Sequence, residues 1–171
     1  NDNSVLLSVL EDTFRNCINL KTVVFGNNCR IENISVSAFE NCGNLMSVII
    51  PENNRKLTKI EDNAFKDCVS LVNVSLPSSL MEIGDDAFLN APYVESNNDL
   101  IMTVGSVLLR YIGDDTVVTI SKDVAAISKG AFKDNHYITK VVFEEGSRLF
   151  AIGDEAFAGC VNLADINFPN T

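Results

Sequence analysis

Histidine occurs once in this 171-residue chain, at His136. It follows Asp134 and Asn135 in a polar stretch, with no second histidine and no serine or cysteine motif beside it, so a nucleophile triad or a zinc site has no partners there. Basic residues are also scarce. Thirteen Lys and Arg against 23 Asp and Glu leave a formal net charge of −10. Nucleic acid or an anionic lipid surface would meet a repulsive field instead of releasing counterions. Long apolar runs are missing too: the longest, Leu100 to Leu109, is broken by Thr103, Gly105 and Ser106. It is about half of the ~20 residues that a membrane-spanning helix needs. No glycine-rich phosphate loop is present, and no charged n-region and apolar h-region of a secretion signal follow Asn1. A signal is therefore expected to be absent or already removed.

What the chain does have is hydrophobic residues at 46% and charged residues at 21%, enough for one continuous core. These residues are periodic. The pair Ala-Phe returns at Phe39, Phe65, Phe88, Phe132 and Phe157, and Thr13-Phe14 takes the same place at the start. Four of the five steps are 23 to 26 residues and the fifth is 44, a period that marks a solenoid. Five residues before each Phe stand Val9, Ile34, Ile60, Ile83, Ile127 and Ile152; eight before stand Leu6, Ile31, Leu57, Leu80, Val124 and Leu149. Apolar slots, broken only at Asn97 and Asp99, also follow at six, nine and eleven residues after the Phe, often with a proline next, as at Pro51, Pro77 and Pro169. One unit reads L-x-x-I-x-x-x-A-F-x-x-C-x-x-L-x-x-V-x-L-P.

Within the unit, Val-x-Leu has the two-residue period of a strand with one buried face, and the proline after it ends the ladder. Ala-Phe-x-x-Cys has the spacing of a helical turn, and Asp62, Asp85 and Asp154 stand where an N-cap would accept backbone N–H bonds. The expected fold class is therefore α/β: a solenoid that repeats a short strand and a short helical turn.

The fourth unit departs from this pattern. Its Cys slot is Ala91, its strand slots are Asn97 and Asp99, and the next Ala-Phe waits until Phe132. Aligning Thr116–Ile120 with Val72–Leu76 restores the frame, so the 44-residue step holds two units, of which the second has lost its Ala-Phe module. Residues 100–115 carry β-branched residues and turn signals at Gly105-Ser106 and Gly113-Asp114-Asp115, which reads as an inserted β-hairpin. Residues 1–171 form one repeat domain in this reading. Neither end looks like the polar cap that a solenoid needs, so a longer array or a neighbouring domain is expected.

Ile83-Gly84-Asp85-Asp86-Ala87-Phe88 and Ile152-Gly153-Asp154-Glu155-Ala156-Phe157-Ala158-Gly159-Cys160-Val161-Asn162-Leu163, with Leu76-Pro77 and Phe168-Pro169, resemble the BspA-like (Treponema pallidum type) leucine-rich repeat. The resemblance runs through nearly the whole chain. It implies a curved right-handed array and a surface-exposed or secreted protein, mostly bacterial or of mucosal protists, often an adhesin. The family has no catalytic residues to carry over.

Cys17, Cys42, Cys68 and Cys160 each stand three residues after a repeat Phe, in the slot that elsewhere holds Ala91 and Asn135. A small buried position, with reduced thiols, fits that exchange. Cys29 lies outside the ladder and is expected to be the accessible thiol. The acidic pairs Glu11-Asp12, Glu61-Asp62, Asp85-Asp86 and Asp154-Glu155 form a column that could gather calcium, though capping and solvated charge are the commoner use. Asn33-Ile34-Ser35 and Asn73-Val74-Ser75 match the N-glycosylation pattern but overlap repeat slots, as chance matches would.

No cofactor, metal or catalytic residue is assigned. The strand residues that alternate with the core slots should point outward: Thr22 and Val24, Ser47 and Ile49, Asn73 and Ser75, Val117 and Thr119, Lys140 and Val142, Asp165 and Asn167. This face carries one Lys and one Asp. It is expected to bind a protein or host ligand at the cell surface or outside the cell, in the manner of an adhesin, without enzymatic activity. The alternative is a structural spacer that displays other domains.

Overall fold

The computed structural model describes residues 6–95 and 101–169. Two compact units divide the chain, Asn1–Asn98 and Asp99–Thr171. Strands in the first are β1 (Ser8–Val9), β2 (Thr22–Val24), β3 (Asn33–Ile34), β4 (Ser47–Ile49), β5 (Lys59–Ile60), β6 (Asn73–Ser75) and β7 (Glu82–Ile83), followed by the helix α1 (Pro92–Glu95). They form two parallel sheets, β1-β3-β5-β7 and β2-β4-β6. The first two turns each place one two-residue and one three-residue strand on the equivalent strands of the next turn, while β7 extends only the first sheet. Register is strict: Val23, Val48 and Val74 align, as do Val9, Ile34 and Ile60. Apolar residues recur in the same slots, so stacking in register buries them together, and Ile34, Leu45, Val48, Ile60 and Leu71 are wholly inaccessible.

The second unit holds β8 (Ile101–Val104), β9 (Val107–Tyr111), β10 (Val117–Ile120), β11 (Ala126–Ile127), β12 (Lys140–Phe143), β13 (Ala151–Ile152) and β14 (Asp165–Asn167). Its parallel sheet β10-β12-β14 matches the longer strands of the first unit. The other sheet runs β13-β11-β9-β8, with β8 antiparallel to β9. The turn between them is at Gly105-Ser106, where Gly105 has φ +59°. This hairpin does not stand off the array: β9 pairs in parallel with β11, and Leu108 faces Ile127 in the aliphatic column.

Helical turns were expected around each Ala-Phe, and the structure replaces them with chained β-turns. Among the described residues the only helix is the four-residue α1. Two residues before each Phe, Asp12, Ser37, Asn63, Asp86, Gly130 and Glu155 have positive φ. So do Asn16, Asn41, Asp67, Asn90, Asp134 and Gly159, two residues after it. A left-handed residue at every fourth position forbids a right-handed helix. Around Phe39, Ala38 N–H donates to Ser35 O, Glu40 N–H to Ser37 O and Cys42 N–H to Phe39 O, at 3.1 to 3.2 Å. Meanwhile Ser37, Phe39 and Asn41 donate to Asp62, Ala64 and Lys66 of the following turn at 2.8 to 3.0 Å. A helix would spend those donors within itself; the β-turn chain sends alternate ones across to its neighbour. The expected N-cap residue Asp62 acts between turns as well, its Oδ1 accepting from Asp85 N–H at 2.8 Å.

Phenylalanine rings stack along each unit. Phe14, Phe39, Phe65 and Phe88 follow one another at 5.1 to 5.2 Å between centroids, and Phe132 and Phe157 at 4.8 Å. The module thought lost before Phe132 is shortened instead. Tyr111 takes the Phe place: its N–H donates to Ala131 O at 2.8 Å and its ring lies 5.3 Å from Phe132. Its hydroxyl donates to Asp115 Oδ2 at 3.0 Å, which gives the buried ring's polar tip a partner.

Candidate binding face

In the first unit the predicted outward residues form two rows across the sheet, Thr22–Ser47–Asn73 and Val24–Ile49–Ser75. In the second the rows are Val117–Lys140–Asp165 and Thr119–Val142–Asn167. All twelve lie on the side of the strand away from the core. The outer strands are open, with Val24 63% and Val117 51% exposed, whereas the central residues Ser47, Ile49, Lys140 and Val142 are half-buried by their neighbours. Asn73 Nδ2 donates to Ser47 Oγ at 3.1 Å, and Lys140 lies 3.9 Å from Asp165, so the charges of the second face offset each other.

Further apolar residues flank these rows. Met46 and Val72 precede β4 and β6 directly, and Ile18 and Val69 follow the Cys slot of their turns. All four are 46 to 62% exposed. In the second unit Tyr137 and Val161 take similar places. Strand alternation did not reveal them, because they precede the strands; the available signal was an apolar residue in a slot that in other turns holds Lys21 (for Met46 and Val72), Gly43 or His136 (for Ile18, Val69 and Val161), or Asn44 and Ser70 (for Tyr137).

Apart from Asp165, acidic groups lie off these faces, and several bond the backbone. Glu61 accepts from Val36 N–H at 3.2 Å, Glu144 from Lys122 N–H at 3.0 Å, and Glu52 from Ser78. Asp12, Asp86 and Glu155 occupy left-handed turn positions and pair with Arg15, Lys66 and Lys133. Among the described residues no three His, Cys, Asp or Glu side chains converge as a metal group. His136 is exposed, and its carbonyl accepts from Asn162 Nδ2. Of the two sequons, Asn33 is half-buried and donates to Ser35 and Glu61, while Asn73 is exposed.

All five thiols are free. Cys42, Cys68 and Cys160 each donate Sγ–H to the Phe carbonyl of the preceding turn, Phe14, Phe39 and Phe132, at 3.0 to 3.1 Å. Burial pushes all three up, Cys68 to about 12. Cys17 was expected to be buried with them but is exposed, because no described turn precedes its own. Cys29, expected to be the open thiol, is half-buried and accepts from Asn54 Nδ2. Asn135 fills the Cys slot of the turn that stacks on the hairpin and reaches Gly113 O at 2.8 Å with its longer arm.

Parallel turns with a leucine, valine and phenylalanine core stacked in register define a leucine-rich-repeat β-solenoid. The chain belongs to the BspA type leucine rich repeat region family, whose six-copy model matches residues 3–99 and 58–171. Among solved structures it is similar to the leucine rich repeat protein TpLRR of T. pallidum, at 26% identity and a TM-score of 0.53. That match covers 99% of this chain and 67% of TpLRR. A leucine-rich repeat protein of Bacteroides ovatus matches at 23% identity and 0.48, over 96% of this chain and 41% of that one. The pneumococcal vaccine antigen PcpA matches at 24% and 0.48, over 99% and 44%. No curated protein matches the chain. No described helix is long and apolar enough to cross a membrane.

Proposed function

We propose that this chain is a recognition segment of a cell-surface or secreted protein, binding a protein or host ligand through the outward faces of β2-β4-β6 and β10-β12-β14. One observation carries the reading. On a chain of net charge −10, these faces carry one Lys and one Asp, which lie close to each other, and the exposed aliphatics Val24 and Val117, while Asp12 and Asp86 are engaged at the turns. Low charge and apolar area together mark interaction patches. The two units act in this reading as consecutive segments of one array, supported by family matches that overlap across residues 58–99. The role in this reading is adhesin-like binding, in keeping with the repeat family.

Binding of host-surface proteins to the immobilised chain tests this. A recognition segment retains a saturable ligand, whereas a spacer retains nothing. Ile49→Glu in the first face and Val142→Glu in the second, neither in the core, should each be made in chain shown to be folded by circular dichroism. Unchanged binding in the folded double variant would place the contact elsewhere.

A further inference from the structure

We draw no further inference here: the strongest candidate, the apolar strip of Val24, Met46, Val69 and Val72 beside β2, β4 and β6, belongs to the face already described, and nothing in the structure shows what covers it.

Discussion

Phe65 has a ring on each side at about 5 Å and no solvent access, so its removal leaves a hole that two neighbouring turns share. Phe65→Ala should cost about 3 to 5 kcal/mol. Phe14, stacked on one side and 38% exposed, should cost clearly less, and urea denaturation of both variants measures the difference. Equal small losses would contradict the stacked column. The thiols give a second test at single positions. Cys17 should react first with a maleimide in the native chain, and Cys42 and Cys68 only on unfolding. Burial raises Cys68 from 9.0 to about 12, so the folded chain keeps a proton that the unfolded chain has released. Its contribution to stability is intact below pH 9 and is lost as pH climbs towards 12. Urea midpoints across that range should fall less steeply in Cys68→Ala, whose side chain the equivalent Ala91 shows to fit. The phenylalanine column was legible in the sequence because one residue type recurs in one register. Exposure of Cys17 was not, because a shared register does not by itself fix burial.

The turn around each phenylalanine shows where pattern reading failed. Three-residue spacing between apolar slots is shared by a helix and by a chain of β-turns, so Ala-Phe-x-x-Cys alone does not separate them. The deciding signal sat beside it: Asn, Asp or Gly two residues after every repeat Phe, the residues that tolerate left-handed backbone. At the other left-handed position, two residues before Phe65, Asn63→Gly should be nearly neutral, while Asn63→Val should cost about 1 to 2 kcal/mol. Thermal unfolding of the pair checks this, and equal tolerance of both would argue against the left-handed turn. The hairpin's sequence signals were read correctly as strand and turn, but its place in the sheet was not. Tyr111 follows Leu108 by three residues where repeat Phe follows its aliphatic by five, and only stacking on Phe132 shows that it fills the same column.

In each unit, charge and neutrality are largely sorted by slot: most acids lie off the outward strand faces, which hold hydroxyls, amides and aliphatics, with Lys140 and Asp165 as the charged exceptions. Alternation made those faces readable from sequence, but their flanking Met46, Val69, Val72 and Tyr137 emerged only with the fold. A ligand held on such faces has few ion pairs to lose, so its affinity should change little between 50 and 500 mM salt, of order twofold, as titration calorimetry would show. A steep salt dependence would move the contact to the acidic turns. The sorting also bears on how freely turns could be exchanged in an engineered array. A Cβ added to Gly84 would lie 2.5 Å from the backbone nitrogen of Asp62, and one added to Gly153 2.5 Å from that of Lys129. Each glycine is thus fitted to the turn before it, and Gly84 leaves room for the Asp62 carboxylate to reach Asp85. Grafting should accordingly succeed with cassettes that keep two adjoining turns together and fail when the cut falls between them. In this array the exchangeable piece is a pair of turns with the joint between them, not the single repeat.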